Sequence, residues 1–407
     1  MPIKRVDAIA DPTRRQFLRK SFAGVGWMMA GGVLSRCGSS SDDGGGAATM
    51  SNIANLGPLG DPDENGLRLP EGFTSRIIGR SGMPVGSTSY AWHSAPDGGA
   101  TFTTGDAGWI YVSNSEGFAA VGGGASAVRF ASNGDIVDAY RILGGTDLNC
   151  AGGPTPWGTW LSCEEKPTGR VWECDPLGEN EAVVHPAMGA FEHEAAAVDD
   201  ANLHVYLTED VPDGRLYRLV YDASGDLSTG ELQVAEVIGT GPEGAVEWHP
   251  LPDPSGQTGE TRYQVPSSTI FNGGEGIWNH EGIIYFGTKG DNRVWTYDTK
   301  TSMLTIFYDA ATSSMPILKG VDNLTVTPAG DVVVGEDGDD MQVVAISAEG
   351  PVVPLVQITG QDGSEVTGPA FDPRLQRLYF SSQRGADGLD LLGMSGITYE
   401  VKGPFFI

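Results

Sequence analysis

Residues 193–210, HEAAAVDDANLHVYLTED, contain one complete copy of the pattern that decides the fold. A short apolar run leads into a turn rich in Asp and Asn and then into a second apolar run with Tyr206. The stretch ends on the acids Glu209 and Asp210. Short apolar runs bounded by turn-forming residues are typical of β-strands. The stretch therefore predicts two strands joined by a turn, with an acidic end.

This unit recurs six times along the chain. Its copies lie about 45–50 residues apart, except for one gap of about 80 residues. The longer gap, roughly residues 225–270, is predicted to be a loop insertion. The six copies end at the following residues: Glu116, Glu165, Asp210, Asp291, Asp337 and Arg384.

Each unit is usually followed by a further apolar pair, which gives four short strands per unit. Amphipathic helical spacing is missing after residue 50. Six such units predict an all-β fold, a six-bladed β-propeller over residues 65–407, because blades stacked in a ring bury both faces of each sheet. The alternative is a β-sandwich or a pair of sandwiches.

The composition limits the partners of this protein. The formal net charge is −28. Such acidity argues against nucleic acid and anionic membranes as partners, because both are negatively charged. It is compatible with binding of divalent cations, although acidity also serves solubility alone. We expect a small-molecule ligand and a monomeric chain.

The N-terminal segment, residues 1–37, is predicted to be an export signal. Arg14-Arg15 followed by QFLRK resembles the twin-arginine signal, and a short Gly-rich apolar run follows it. Cys37 in LSRC suits a lipoprotein cleavage site, whereas Arg36 before it favours simple cleavage nearby. We therefore expect a periplasmic or cell-surface protein that meets the twin-arginine translocase during export and touches the membrane only through a lipid on Cys37. Residues 38–64 are predicted to be a flexible linker.

Three cysteines remain after Cys37, an odd number for an oxidising compartment. One interpretation is a Cys150–Cys174 disulfide with Cys163 free. The other is a metal-bound Cys163 with the remaining two unpaired. Cys163 stands beside Glu164 at the predicted end of a strand, and a thiol next to carboxylates suits a metal better than it suits packing.

A propeller would bring the openings of the six units together around a central channel and the ends of their second strands to one mouth. Two like charges 4 Å apart repel by about 4 kcal/mol at an effective dielectric constant of 20. Converging acids therefore persist only if they are protonated or if cations lie among them. Carboxylates suit Ca²⁺ or Mn²⁺, and one added thiolate suits iron or zinc. The alternative is that the acids are solvated turn residues, above all in the stretch EDGDD at residues 336–340.

Five stretches carry a resemblance to a known family: GGPTPWGTWLSCEE, FEHEAAAVD, VYLTED, GVDNLTVTPAGDVVVGED and TGPAFDPRLQRLYFSSQRG. Over residues 65–400 the chain resembles the PhoX-type alkaline phosphatases, which are exported by the twin-arginine route. The resemblance implies a six-bladed propeller that hydrolyses phosphate monoesters at a cluster of Ca²⁺ and Fe³⁺ in its mouth.

The resemblance also implies roles for individual residues. Cys163, Glu194 and Glu275 would be the catalytic metal ligands, with Cys163 on iron. Further metal ligands would be Glu116, Glu164, Asp322, Asn323 and Glu336. The candidates for contact with the substrate phosphate are Lys289, Arg293 and Arg384.

One departure from the family pattern keeps other functions open. Where the family carries an arginine shortly before the glutamate of the fourth blade, this chain has Gly273 and Gly274. A catalytically inactive binding or scaffold propeller that keeps its metals for structure is one alternative. A calcium-dependent, lactonase-like hydrolase is the other, although such sites use no thiol.

Overall fold

The computed structural model describes residues 50–338, 340–386 and 394–407. The predicted export signal, Cys37 and most of the predicted linker lie outside these residues. The described part consists of β-strands and four one-turn 3₁₀ helices: Ile53–Asn55, Ala119–Val121, Pro186–Met188 and Thr261–Tyr263. In this part of the chain, no helix is long and apolar enough to span a membrane.

The strands form antiparallel meanders, in which each strand pairs with the next along the chain. Two short strands come first, β1 (Leu67–Arg68) and β2 (Thr74–Arg80). The first meander contains β3 (Pro96–Thr103), β4 (Trp109–Ser115), β5 (Gly124–Phe130) and β6 (Ile136–Gly144). The second contains β7 (Asn149–Pro154), β8 (Trp160–Glu164), β9 (Val171–Cys174) and β10 (Val183–Val184). The third contains β11 (His193–Asp199), β12 (His204–Glu209), β13 (Leu216–Val220) and β14 (Glu231–Ile238).

After β15 (Gly244–Pro250) the same arrangement continues to the end of the chain. The fourth meander contains β16 (Gly274–His280), β17 (Ile283–Thr288), β18 (Arg293–Asp298) and β19 (Met303–Asp309). The fifth contains β20 (Val321–Val326), β21 (Val332–Glu336), β22 (Gln342–Ile346) and β23 (Val352–Ile358), with β1 paired to β23. The sixth contains β24 (Val366–Phe371), β25 (Arg377–Ser382) and β26 (Ile397–Lys402), and β2 completes it by pairing with β26.

The fold is all-β and propeller-like, with almost no helix, as the sequence predicts. The strands form five sheets rather than six separate ones. Strand β15 pairs with both β14 and β19, and it thereby joins the third and fourth meanders into one nine-stranded sheet. The prediction that residues 225–270 form only a loop insertion is therefore wrong in part. Both β14 and β15 lie within that stretch, and an irregular segment follows them.

Apolar side chains fill the space between neighbouring meanders. Tyr111 of β4 stacks on Tyr379 of β25, with ring centroids 4.9 Å apart. Tyr206 of β12 lies 5.7 Å from Tyr297 of β18, measured between ring centroids. These rings are nearly or fully buried, and burial of large apolar surfaces is what holds one sheet against the next. The aromatic residues that mark the sequence repeat are thus the packing residues of the core.

The first of the described residues contact the C-terminal end of the chain. Ser51 forms a β-bridge with Phe406, and the backbone N–H of Met50 donates to the carbonyl of Ile407 at 2.9 Å. Ile53 is fully buried against the core. Composition suggests a linker because it averages these residues with the Gly, Ser and Asp that precede them.

Candidate metal centre

A β-bulge interrupts the first strand of every meander at the equivalent position. In each case the pairing register with the second strand shifts across two residues. The six pairs inside the bulges are Asp97-Gly98, Cys150-Ala151, Glu194-Ala195, Glu275-Gly276, Asp322-Asn323 and Gly368-Pro369. A bulge breaks the strict alternation of side chains and re-aims one of them. The first residue of the pair carries an ionisable group in five of the six strands, and all five are buried.

The second residue of each bulge is mostly small, and the structure shows why. A Cβ on Gly98 would lie 2.5 Å from the Cα of Ala151 in the next meander, and a Cβ on Gly276 would lie 2.4 Å from the backbone nitrogen of Leu324. Contacts this short do not occur between real side-chain and backbone atoms, so only glycine permits the observed approach of these first strands. This close approach brings the ionisable groups from separate meanders together.

Three groups of potential ligand atoms result, each with all its atoms within 4.8 Å of one another. The groups are Asp97–Glu116–Cys150, Cys150–Glu165–Glu194 and Glu194–Glu275–Asp322. Cys150 belongs to the first two groups and Glu194 to the last two. The groups therefore form one continuous chain of sites, which we call the acidic arc.

A further set of side chains comes from the residue that directly follows the second strand of each meander. We call the end of the fold at which these second strands finish the mouth. These six residues are Glu116, Glu165, Asp210, Lys289, Asp337 and Gln383. Side chains alternate between opposite sides of a strand, so the residue before each of them is directed elsewhere. Glu164, for example, accepts hydrogen bonds from the backbone N–H groups of Asp147 at 3.1 Å and Arg170 at 3.2 Å.

Two acids that the sequence analysis assigns to calcium therefore occupy other positions. Glu164 binds the backbone of its own meander, and Glu336 accepts from the backbone N–H groups of Lys319 at 3.0 Å and Gln342 at 3.1 Å. In each case the next residue along the chain faces the mouth instead. A shift of one residue reverses the side of a strand, and this accounts for both corrections.

The structure also differs from the prediction in which thiol lies among the acids. Cys163 is fully buried in an apolar cluster with Leu161, Val171 and Phe191, and it belongs to none of the three ligand groups among the described residues. Cys150 lies in the arc instead, so the thiol that the structure places among the candidate ligands is Cys150 and not the predicted Cys163.

The cysteines of the described residues, Cys150, Cys163 and Cys174, are all free and buried, so the disulfide that the sequence left open between the first and the last is not formed. Burial raises the pKa of the Cys150 thiol well above its usual range, and the charges of Asp97 and Glu194 raise it further. A thiol in this position becomes a thiolate when a cation binds beside it.

The arc is electrostatically strained without cations. Burial, followed by neighbouring carboxylates, raises the pKa of four of its acids well above the usual range: Asp97, Glu165, Glu194 and Glu275. Burial also raises the pKa of Asp322 to about 7, although Lys289 opposes this rise. Oε2 of Glu194 is buried and has no hydrogen-bond partner. A buried carboxylate oxygen without a partner suits a cation, and the set of oxygens and one sulfur fits a mixed metal cluster.

Lys289 is one of two basic side chains at the mouth. Its Nζ lies 2.9 Å from Oε1 of Glu275, 3.2 Å from Oδ2 of Asp210 and 3.6 Å from Oδ2 of Asp337. Burial disfavours the charged form of this lysine, but Glu275, Asp322 and Asp210 outweigh that effect and raise its pKa. The ammonium group therefore remains charged among the acids.

The other two candidates for phosphate contact differ in how they are held. Nη2 of Arg384 lies 3.2 Å from Oε1 of Glu365, and 34% of its side chain is exposed. Arg293 is paired with Asp291 at 2.8 Å and Asp309 at 2.9 Å, away from the arc. Of the two guanidinium groups, that of Arg384 thus has the smaller number of carboxylate partners.

Amide side chains secure the remaining parts of the site. Nε2 of Gln383 donates to Asp97 and, at 2.6 Å, to Oε2 of Glu116. Asn323, a predicted ligand, accepts from the backbone N–H of Gly368 at 2.7 Å through its Oδ1, so its oxygen is already occupied. These contacts fix acids of the first meander against the sixth, and the fifth meander against the sixth.

Sequence reasoning thus identified part of the cluster. The structure brings Glu116, Glu194, Glu275 and Asp322 together, as expected. It adds five acids that were not chosen as ligands, and the alignment of the bulges is the signal that finds the first of them, because PDGG at residues 96–99 aligns with NCAG at residues 149–152. The added acids are Asp97, Glu165, Asp210, Asp337 and Glu365.

Comparison with known proteins shows which family part of this chain resembles. The family model described as alkaline phosphatase PhoX matches residues 119–173 and 166–303. Over these residues the match confirms the resemblance to the PhoX family that the sequence motifs indicate. The matched residues include Cys150, Glu165, Glu194 and Glu275. A search of proteins with curated functions finds no match.

Three solved structures are similar to this chain at low identity. A gluconolactonase from Xanthomonas campestris has 12% identity and a TM-score of 0.49, covering 85% of this chain and 98% of its own. A protein of unknown function from Bacteroides thetaiotaomicron has 9% identity and a TM-score of 0.47, with coverages of 81% and 76%. The calcium-binding protein regucalcin from Agrobacterium tumefaciens has 14% identity and a TM-score of 0.39, with coverages of 80% and 95%.

Proposed function

We propose that this protein is an exported, metal-dependent phosphatase that hydrolyses phosphate monoesters at the acidic arc. The observation that carries the proposal is the arc itself, in which buried and partly buried acids from five meanders form three ligand groups, two of them with the Cys150 thiol, and Oε2 of Glu194 has no hydrogen-bond partner. The match to the PhoX family supports the reaction class. Export by the twin-arginine route, with or without a lipid on Cys37, and a monomeric state belong to the same proposal.

The proposed architecture is a six-bladed propeller in which each meander is one blade. The first strands support this count, because β3, β7, β11, β16, β20 and β24 contact one another in that order and β24 contacts β3 again. Strand β15 would then be an insertion that links two blades along their outer edges, where β14 and β19 lie.

The proposed metals are Fe³⁺ and Ca²⁺. The types of ligand atom in each group indicate which of the two metals that group would hold. The two groups that contain Cys150 offer a sulfur together with carboxylates, which suits iron. The group Glu194–Glu275–Asp322 offers oxygen alone, which suits calcium. Cys150 and Glu194 would each help to hold metal in two of these groups, since each belongs to two of them.

The reaction would be a metal-assisted hydrolysis. Bound cations would neutralise the phosphoryl oxygens and lower the pKa of a coordinated water. The residues of the chain hold this arrangement in place, because Gln383 fixes Asp97 and Glu116 while Lys289 fixes Glu275 and Asp210. Ligands that are already fixed reduce the reorganisation needed when charge develops in the transition state.

Arg384 is the proposed phosphate-binding residue. It lies at the mouth, has a partly exposed side chain and has one carboxylate partner, Glu365. A guanidinium group can bind two phosphate oxygens at once. It would supply the positive charge that Gly273 and Gly274 do not provide in the position where the family carries an arginine.

The test combines metal analysis with an assay on an aryl phosphate. We expect the purified exported protein to contain iron and calcium and to release phosphate. Glu194→Gln should lose metal and lower kcat/KM by about 100-fold or more, because it removes a shared ligand. Glu173→Gln is the matched control, since Glu173 is a partly buried glutamate on β9 outside the arc.

The outcome that contradicts the proposal is metal-loaded protein that releases no phosphate. Retained metal without turnover of any ester would favour the inactive binding propeller. Turnover of lactones without turnover of phosphate esters would favour the lactonase-like alternative.

A further inference from the structure

We propose that Lys289 is a built-in cation that occupies the position of one further metal ion next to the acidic arc. The inference depends on the cation binding of the proposed function. It adds that Lys289 ends the row of metal sites and so limits the number of ions that the arc can bind. The next site would otherwise lie between Asp210, Glu275 and Asp337.

The geometry at Lys289 is that of a cation surrounded by ligands. Three carboxylates from three different meanders lie within 2.9–3.6 Å of its Nζ. Asp210 follows β12, Glu275 lies in the bulge of β16, and Asp337 follows β21. Ca²⁺ takes carboxylate oxygens at 2.3–2.6 Å, so these three would need to move inward by less than about 1.5 Å to bind it.

The position of Lys289 in the repeat makes it an exception. Among the six described residues that directly follow a second strand, Glu116, Glu165, Asp210 and Asp337 are acids and Gln383 is an amide. Lys289 places a positive charge where most of the other meanders supply an anionic ligand. At the position where an acid would extend the arc, Lys289 therefore neutralises the negative charge of the acids beside it.

Glu275 connects the lysine to the arc. It is a member of the group Glu194–Glu275–Asp322, and Glu194 in that group has a fully buried oxygen without a partner. On its other side, Glu275 contacts Lys289 at 2.9 Å. An ion held by this group and the lysine ammonium would thus share one carboxylate.

The test is the number of bound Ca²⁺ ions in the full exported chain after chelation and reloading with Ca²⁺ alone. Lys289→Ala removes the charge and opens the space, so it should bind one more Ca²⁺ per chain than the wild type. Lys289→Met removes the charge but keeps most of the volume filled, and Lys289→Arg keeps the charge. Both should bind the wild-type number.

A second measurement covers the case in which Lys289→Ala folds only with calcium. Its Tm should rise more on addition of Ca²⁺ than that of the wild type, and the added Asp210→Asn substitution should abolish both the extra ion and the extra rise. An unchanged number of Ca²⁺ ions in Lys289→Ala would overturn the inference. A wild-type protein that binds no metal would instead contradict the proposed function, whatever the count in the variant.

Discussion

Cys150 and Glu194 lie in the bulges of two neighbouring strands, β7 and β11, and offer ligand atoms within 4.8 Å of each other. They are separated by 44 positions in the numbering, yet the equivalent bulges bring them to one site. Each is also a member of a second ligand group. The pair is therefore the centre of the acidic arc.

The arc should depend on close contact between neighbouring first strands. Gly276 has no room for a Cβ, since the atom would lie 2.4 Å from the backbone nitrogen of Leu324. Gly276→Ala should therefore destabilise the protein by about 1–3 kcal/mol and lower its metal content, because β16 must move away from β20. Denaturant unfolding and metal analysis check both effects.

Gly105→Ala is the control for this prediction. A Cβ at Gly105 meets nothing within 4 Å, so the substitution should leave both stability and metal content close to the wild type. Equal stability of Gly276→Ala and the wild type would show that the bulges tolerate a wider spacing.

A second prediction concerns pH and lies outside the arc. Burial opposes ionisation of Glu173, but hydrogen bonds from His185, Thr159 and Trp157 outweigh it and lower its pKa from 4.5 to about 2. The folded state thus gains stability from ionised Glu173 above pH 4.5 and loses it as the pH falls towards 2. Glu173→Gln should cost about 1–2 kcal/mol at neutral pH.

The comparison of the two unfolding curves across pH is the measurement. The difference in unfolding free energy between wild type and Glu173→Gln should shrink as the pH falls from about 4.5 to about 2. A difference that stays constant over this range would contradict the assigned cause.

A third prediction concerns the binding of phosphate. Arg384→Ala should raise the KM for an aryl phosphate by about tenfold and leave the metal content unchanged, because the arginine binds substrate and no ion. Arg293→Ala is the matched control. Its guanidinium group is paired with Asp291 and Asp309, so its loss should leave KM unaffected. An equal rise of KM in the two variants would refute the assignment.

The sequence predicts the class of fold well because the repeat is visible in it. The charged end of each unit, acidic in five of the six, recurs together with core residues such as Tyr206 at a spacing that a propeller requires. The pairing of β15 with β19 could not be predicted, because it joins residues about 60 positions apart and β15 lies in the one stretch, residues 225–270, that lacks the repeat.

The candidate site is less accessible to such reasoning. In Cys163-Glu164-Glu165 the sequence shows three adjacent residues that could bind a metal. The strand geometry is needed to show that, of these three, Glu165 belongs to the arc. Bulges cause the other difference. A bulge turns the side chain of Cys150 towards Glu194. The pattern of apolar and polar residues does not show where such a bulge interrupts the alternation of side chains along a strand.

The iron content of Cys150→Ala and Cys163→Ala is the most direct test of the central claim. The two variants remove the same atoms from two buried, free thiols, one in the arc and one in the apolar core. We predict that Cys150→Ala loses its iron while Cys163→Ala, once shown to be folded by circular dichroism, keeps the wild-type amount. Loss of iron in Cys163→Ala with full retention in Cys150→Ala would contradict the account.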